Sequence, residues 1–191
     1  MCSAFKINER SAFALCGEGR VDLFAYPNMG VHDCILTGDD FLFCDSYRMW
    51  QGNRGGTPVR NGRLIDEAYF DTHPAYFVRA LAGVGRDMLV GNSHAGEADK
   101  RFAGSGAVIL MRDDRVTHSA AVPFAQVYEI LREDGTHFDI APNARSFAEA
   151  RAVLTRSLGE PVESFALKDV LCGERAKKFS EGDLGHVEEY L

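Results

Sequence analysis

Two stretches of the chain share one pattern of apolar residues and turn residues, and they lie 47 residues apart. They cover residues 35–47 and 82–94. In each stretch an apolar run leads to a glycine, Gly38 or Gly85. An aspartate, three apolar residues and an Asp-Ser or Asn-Ser pair then follow. A period of about 40–50 residues, with short strands and tight turns in every unit, restricts the fold to a stack of similar β units.

Hairpin signals recur along the first 142 residues, as apolar runs separated by glycine or aspartate turns. The paired runs are 11–16 with 21–26, 31–37 with 40–44, 77–82 with 87–91, and 107–111 with 115–122. Residues 63–70 are expected to add edge strands. We predict a mainly β chain, a partial β-propeller of about three blade-like four-stranded units with a short C-terminal helical segment.

The pattern changes after Pro142, which divides the chain into a blade-like β-repeat region, 1–142, and a C-terminal helical appendage, 143–191. A helix is predicted over 146–158, because apolar residues follow a helical spacing there and Gly159 and Pro161 end it. Residues 167–179 are expected to form a second, weaker helix. The first helix is expected to cover one open end of the stack of sheets.

Closed propellers use about 4–8 blades, so about three units leave the ring incomplete. The chain is then a truncated propeller, half of a ring completed by a second chain, or a sandwich or open barrel in which the repeat is a relic. We expect a homo-oligomer or a complementary chain, because an uncovered sheet face would exceed the apolar patch that monomers expose.

Charge and cysteine usage limit the partners and the setting. The net charge of −7 opposes non-specific binding of nucleic acid or of an anionic membrane. No stretch reaches the roughly 20 apolar residues of a membrane span, and the first ten residues lack the apolar core of a signal peptide. The 5 cysteines form no Cys-x-x-Cys pair. Together these features favour a reducing, cytoplasmic setting.

The repeat also suggests a ligand site. His32, Arg79 and Glu129 each lie six residues before a turn glycine, so in a propeller they would converge near the mouth of the central channel. There Arg79 would clamp an anion, and His32 or Glu129 would accept a proton. His73 and His94, near predicted strand ends, are further candidates for ligand binding. The alternative is a hydrogen-bond network that only holds the sheets in register.

Four residues could hold a divalent cation, calcium or zinc. They are His32, Asp33, Asp45 and Asn92, whose imidazole and oxygen atoms are ligands for such ions. Their spacing matches no known ligand set. Asp45 and Asn92 are more simply interpreted as turn residues at the ends of strands, where Asp and Asn side chains bond their own backbone.

One segment resembles a known family. His73-Pro74 precedes the apolar residues 81–83, and Gly85-Arg86-Asp87-Met88-Leu89-Val90-Gly91-Asn92-Ser93 follows. This order resembles the repeats of NHL-repeat and gluconolactonase-like β-propellers. The resemblance implies a six-bladed propeller, and lactonase-like members hold a divalent ion with Glu, Asn and Asp. That set has no residue-by-residue counterpart in this sequence, so the resemblance bears on the fold.

Three functions fit these observations. The first is a binding or scaffold module for a small polar ligand or a protein partner. The second is a metal-assisted hydrolase of the lactonase type, in which a bound ion polarises a carbonyl group. The third is a structural fragment whose biological unit is an oligomer. Metal analysis separates the first two, and the mass in solution tests the third.

Overall fold

A computed structural model gives the fold of the chain and confirms that it is mainly β. The residues it describes are 2–7, 10–27, 30–37, 39–46, 56–72, 76–84, 87–94, 104–131, 133 and 146–167. In chain order the elements are β1 Cys2–Ile7, β2 Arg10–Gly17, β3 Arg20–Tyr26, β4 Val31–Thr37, β5 Asp40–Asp45, β6 Thr57–Arg60, β7 Arg63–Leu64, α1 Glu67–Thr72, β8 Tyr76–Val84, β9 Asp87–His94, β10 Gly106–Arg112, β11 Arg115–Val122, α2 Phe147–Leu158 and β12 Glu163–Ala166.

The strands form three antiparallel sheets of four strands each. Sheet 1 has the order β1-β2-β3-β12, sheet 2 the order β4-β5-β6-β7, and sheet 3 the order β8-β9-β10-β11. Strand β1 contacts β4, and β4 contacts β8. The first strands of successive sheets therefore lie side by side, which brings residues of different sheets together along these strands.

Two of the hairpins close with two-residue turns in the left-handed region. Glu18 and Gly19 join β2 to β3 with φ of 51° and 70°, and Asp113 and Asp114 join β10 to β11 with φ of 48° and 61°. Such turns match the right-handed twist of the strands they connect, and Gly, Asp and Asn tolerate the conformation best. Local sequence thus explains these predicted hairpins.

The two stretches with a shared sequence pattern run from the ends of β4 and β8 through the following turns into β5 and β9, the second strands of sheets 2 and 3. Phe41 is the second residue of β5 and Met88 the second residue of β9, and both side chains are buried. The turn glycines, Gly38 and Gly85, lie outside the described residues. The equivalence of those two turns therefore stays a prediction.

The predicted helix at 146–158 is confirmed as α2, which begins after the N-cap residue Ser146. The Ser146 hydroxyl accepts the Glu149 backbone N–H at 3.2 Å, and the Glu149 carboxylate accepts the Ser146 N–H at 3.1 Å. This reciprocal capping satisfies two backbone donors that the first turn leaves unpaired. Gly159 ends the helix with φ of 90°.

Helix α2 lies between two sheets, which differs from the expectation that it covers one open end. It contacts β2 and β3 of sheet 1 and β5 of sheet 2. We call the core formed there the first junction. It is rich in phenylalanine, and its buried residues are Phe13, Leu15, Phe24, Phe41, Phe43, Val59, Phe147, Ala150, Val153 and Leu154.

Sheets 2 and 3 enclose a second core, which we call the second junction. Its side chains are mostly aliphatic, and they are Leu42, Cys44, Ile65, Phe70, Val78, Leu81, Met88, Val90, Ile109 and Met111. The prediction of edge strands over residues 63–70 is wrong beyond Leu64, because α1 follows the short β7. The Asp66 carbonyl accepts the N–H groups of Tyr69 and Phe70, and the helical turn buries Phe70 in this core.

The C-terminal region contributes a strand as well as a helix. Strand β12 pairs with β3, with Glu163 opposite Leu23 and Phe165 opposite Val21. Its side chains are exposed or half-buried, so four residues of this kind carry no alternating signal that would predict a strand. The predicted helix at 167–179 lies outside the described residues except for Leu167, and the division of the chain at residue 142 stays a prediction.

Candidate functional site

Two β-bulges place charged residues on the neighbouring first strands of sheets 2 and 3. The register of β4 against β5 shifts between His32 and Cys34, so Asp33 is the extra residue there. The register of β8 against β9 shifts between Val78 and Ala80, so Arg79 is the extra residue there. A bulge re-aims a side chain and interrupts strand pairing, and bulges are over-represented at sheet edges and next to active sites.

Arg79 contacts two aromatic rings. Its Cζ atom lies 5.0 Å from the ring centroid of Phe77 and 5.0 Å from that of Tyr128. Its Nε atom is buried and has no hydrogen-bond partner among the residues that the structure describes. An unpaired buried donor costs about 1–3 kcal/mol, more when it belongs to a charged group. Arg79 thus carries a charge that an added acceptor would stabilise.

His32 lies beside Arg79 and is neutral near pH 7. Burial, and secondly the positive charge of Arg79, lower the pKa of His32 from 6.5 to about 4. A neutral imidazole offers one N–H donor and one nitrogen acceptor. The residue can therefore form directed hydrogen bonds without adding a second positive charge to the site.

Asp33 connects the two first strands. Its Oδ2 atom accepts the Leu81 backbone N–H of β8 at 2.8 Å. The backbone of Asp33 has φ of 35°, which only a few residue types adopt readily, Asp among them. This hydrogen bond ties β4 to β8 two residues beyond Arg79, so Asp33 helps to position the bulge that carries the arginine.

Cys44 pairs with His32 across β4 and β5 and is fully buried. Burial, and then the nearby carboxylates of Asp33 and Asp45, raise the pKa of the Cys44 thiol well above its usual range. A thiol that stays protonated is a poor nucleophile and a poor metal ligand. Cys44 is therefore a core residue next to the site.

The Asp-Ser and Asn-Ser pairs that end β5 and β9 make contacts between units. The Ser46 hydroxyl donates to the Val78 carbonyl of β8. The Ser93 hydroxyl donates to the Val127 carbonyl at 3.1 Å and accepts the Val127 N–H at 2.8 Å. Each serine thus bonds a valine at the start of the next segment, in contrast to the expectation that these pairs bond only their own backbone.

The two residues that precede these serines differ. Asp45 is buried, and its Oδ2 atom accepts the Tyr26 hydroxyl at 2.8 Å. Asn92 is 1 % exposed, and neither polar atom of its amide has a partner among the described residues. Asn92 pairs with Val78 across the strands, next to the bulge at Arg79.

The structure gives less support for a role in ligand binding to the other predicted residues, Glu129, His94 and His73. Glu129 is exposed and directly follows Tyr128, whose ring contacts Arg79. The His94 ring packs so closely on Gly104 that a Cβ atom at Gly104 would lie 2.3 Å from it. His73 lies outside the described residues. The structure therefore brings His32 and Arg79 together, with the segment that carries Glu129 next to them.

The predicted metal ligands do not form a metal site in the described part of the chain. Within it, no group of three or more His, Cys, Asp or Glu side chains is arranged to hold an ion. The Asp33 carboxylate accepts a hydrogen bond from the Leu81 N–H, and the Asp45 carboxylate accepts one from the Tyr26 hydroxyl. A site for calcium or zinc, and with it the metal-assisted hydrolase of the lactonase type, stays a prediction.

Phe77 and Tyr128 were missing from the sequence-based site. A signal was present, because Phe77 lies two residues before Arg79 and Tyr128 lies directly before Glu129. Aromatic residues next to an arginine often form cation–π contacts. Aromatic residues are common in strand cores, however, so spacing alone did not distinguish these two from core residues.

Comparison with protein-family models, with curated proteins and with solved structures finds no match for this chain. None of the helices in the described ranges has the length and apolar character needed to cross a membrane. The geometry around Arg79 is therefore the basis on which a function can be argued.

Proposed function

We propose that this chain is a binding module of blade-like sheets and that Arg79 holds a small anionic ligand. The observation that carries the proposal is the Nε atom of Arg79, which is buried and has no hydrogen-bond partner among the described residues. It lies beside two aromatic rings and a neutral histidine. The ion pairs of the described residues involve other arginines, such as Arg60, Arg112 and Arg151.

The two aromatic contacts leave the hydrogen-bonding capacity of Arg79 unused. A cation–π contact attracts the guanidinium to the ring but satisfies none of its five N–H donors. An anion that accepts two of these N–H groups would supply the missing partner of Nε, and charge-assisted pairs of this kind are among the strongest hydrogen bonds in proteins. A neutral His32 would add one directed hydrogen bond.

The sheet arrangement supports a propeller-like architecture, which is part of the proposal. The first strands of the three sheets are neighbours, and Ser46 and Ser93 make corresponding bonds to Val78 and Val127. By this correspondence, the segment that begins at Val127 takes the position of a further first strand. Arg79 and Tyr128 would then be adjacent residues on the channel side of two successive units.

The ligand hypothesis is tested by thermal unfolding with a panel of sodium salts at constant ionic strength: acetate, benzoate, phosphate and sulfate. We expect at least one anion to raise the unfolding temperature in a saturable manner, because a ligand that binds only the folded state stabilises it. Arg79→Gln should abolish the rise. Arg112→Gln is the matched control, because Arg112 pairs with Asp87 at 2.7 Å and is far along the sheet from the bulge.

The proposal fails if no anion in the panel gives a saturable rise, or if Arg79→Gln and Arg112→Gln lose the rise equally. Circular dichroism of both variants checks that each is folded before the comparison is made.

We also propose that the functional unit contains a second copy of the chain, since the three sheets formed by the described residues fall short of a closed ring. In the described residues Phe124 and Tyr128 are 59 % and 61 % exposed. Light scattering at micromolar concentration should give twice the monomer mass. A monomer mass at all concentrations tested contradicts this part of the proposal.

A further inference from the structure

We infer that the ligand at Arg79 is a monocarboxylate that carries a flat apolar group, an aromatic carboxylate being the simplest example. The inference rests on the proposed function of the Arg79 site and specifies its ligand class. Three features of the described residues carry it: the charge around the site, the geometry of the guanidinium, and the aromatic surface next to it.

The charge around Arg79 suits a single negative charge. Carboxylates of Asp33 and Glu129 lie on the two neighbouring segments, Asp33 on β4 and Glu129 directly after Tyr128. His32 adds a hydrogen-bonding group without a full charge. A dianion such as phosphate near neutral pH would bring a second negative charge to a single arginine, with two acidic residues on the neighbouring segments.

The geometry of Arg79 suits a planar acceptor. The Nε–H and one terminal N–H of a guanidinium point the same way in one plane, and they match the two oxygens of a carboxylate. Nε is buried and has no hydrogen-bond partner among the described residues, so an acceptor that bonds it would lie in the plane of the guanidinium. The ring centroids of Phe77 and Tyr128 each lie 5.0 Å from the guanidinium carbon, so a ligand bound there would be next to two aromatic rings.

The aromatic surface next to Arg79 is the reason why we infer a flat apolar group on the ligand. Phe77 is 5 % exposed, whereas Tyr128 is 61 % exposed and Phe124 is 59 % exposed on the same segment. An exposed tyrosine ring already held against an arginine can stack on a flat ligand, and aromatic pairs add affinity beyond the burial of area. A carboxylate alone would leave this surface uncovered.

The test is calorimetric titration of the full chain at pH 7.5 and constant ionic strength. The probes are benzoate, acetate, inorganic phosphate and the neutral isostere benzamide. We expect benzoate to bind most tightly and acetate at least about fivefold more weakly, the change that about 1 kcal/mol of aromatic contact produces. Phosphate and benzamide should show no saturable heat.

Two variants test whether the Tyr128 ring makes the apolar contact with the ligand. Tyr128→Ala should weaken benzoate about fivefold and leave acetate unchanged, and Tyr128→Phe should restore benzoate binding because the ring is kept. Circular dichroism of Tyr128→Ala checks its fold, and Tyr128→Phe keeps the test valid if the alanine variant unfolds.

The outcomes separate the two proposals. Phosphate binding more tightly than benzoate, with loss in Arg79→Gln, overturns the carboxylate inference and leaves anion binding at Arg79 intact. Benzamide binding as tightly as benzoate also overturns the inference, because the carboxylate would then contribute nothing. Absence of Arg79-dependent binding for every probe overturns the inference and the proposed function together.

Discussion

The first and second junctions are built from corresponding strands but have different contents. Sheets 1 and 2 enclose a phenylalanine-rich core that α2 closes. Sheets 2 and 3 enclose a mostly aliphatic core, and buried polar atoms of Asn92 and Arg79 lie beside it without partners among the described residues. A buried polar atom without a partner lowers stability, but such atoms do not by themselves distinguish the junctions, because the Thr155 hydroxyl of α2 is also buried without a partner among the described residues.

The two junctions differ in what they contribute: the first supplies apolar burial, and the second lies next to the candidate ligand site. In the first, five aromatic rings and a capped helix supply apolar burial. In the second, two bulges, a residue at positive φ and a neutral histidine lie where two first strands meet. Such strained groups persist only when the surrounding structure holds them in place.

The largest expected effect is the loss of a ring from the first junction. Phe43 is fully buried and contacts the rings of Phe13, Phe41 and Tyr26, with centroid distances of 4.8–5.4 Å. Phe43→Ala should lower the free energy of unfolding by about 3–5 kcal/mol. Val90 has the corresponding position in β9, and Val90→Ala should lower it by about 2 kcal/mol. Urea unfolding measures both, and equal losses would remove the distinction between the junctions.

The second expected effect is a pH dependence that belongs to the second junction. Between pH 6.5 and about 4 the unfolded chain binds a proton at His32 and the folded chain does not, because the folded pKa is lowered to about 4. Stability therefore falls as pH falls through this range. The loss of stability is at most about 3 kcal/mol, and solvent screening of the half-buried His32 ring makes it smaller.

The measurement compares the wild type with His32→Gln, by urea unfolding at pH 7 and at pH 4.5. The variant should lose less stability on acidification, because it cannot take up the proton. The same loss in both proteins would assign the acid sensitivity to carboxylates and show that His32 is solvated.

A smaller effect is expected for the serines that connect consecutive units. Ser46→Ala and Ser93→Ala should each lower the free energy of unfolding by about 1–3 kcal/mol, because each leaves a buried carbonyl with a lost donor. Ser93→Ala should cost more, since Ser93 also accepts the Val127 N–H. A negligible change at both positions would show that these bonds do not hold the units together.

The smallest effect is expected at the start of α2. Ser146→Ala removes the hydroxyl that accepts the Glu149 N–H and should cost about 1 kcal/mol. Ser146→Asp is the control, because aspartate caps equally well and should keep the stability. If Ser146→Ala instead unfolds the chain, α2 is more important to the first junction than its cap alone implies.

The parts of the fold that sequence predicted are local ones. The four hairpins follow from apolar runs that flank turn residues such as Gly19 and Asp113, and α2 follows from its spacing and from Ser146. For the site, the repeat predicts that His32 and Arg79 lie near one another, and the charge of Arg79 does act on His32, but their role in ligand binding stays a prediction. Phe77 and Tyr128 were not found, because nothing local separates a ring that contacts Arg79 from a ring in the core.

The sequence by itself thus determined the strands of the four hairpins and where α2 begins, because backbone preferences and side-chain periodicity act over a few residues. The tertiary structure alone decided that β12 joins β3, that α2 lies between two sheets and that Arg79 meets Tyr128. It also decided that His32 is neutral, because burial and the charge of Arg79 set its pKa. These outcomes depend on chain closure and burial between distant segments, and no local pattern records either.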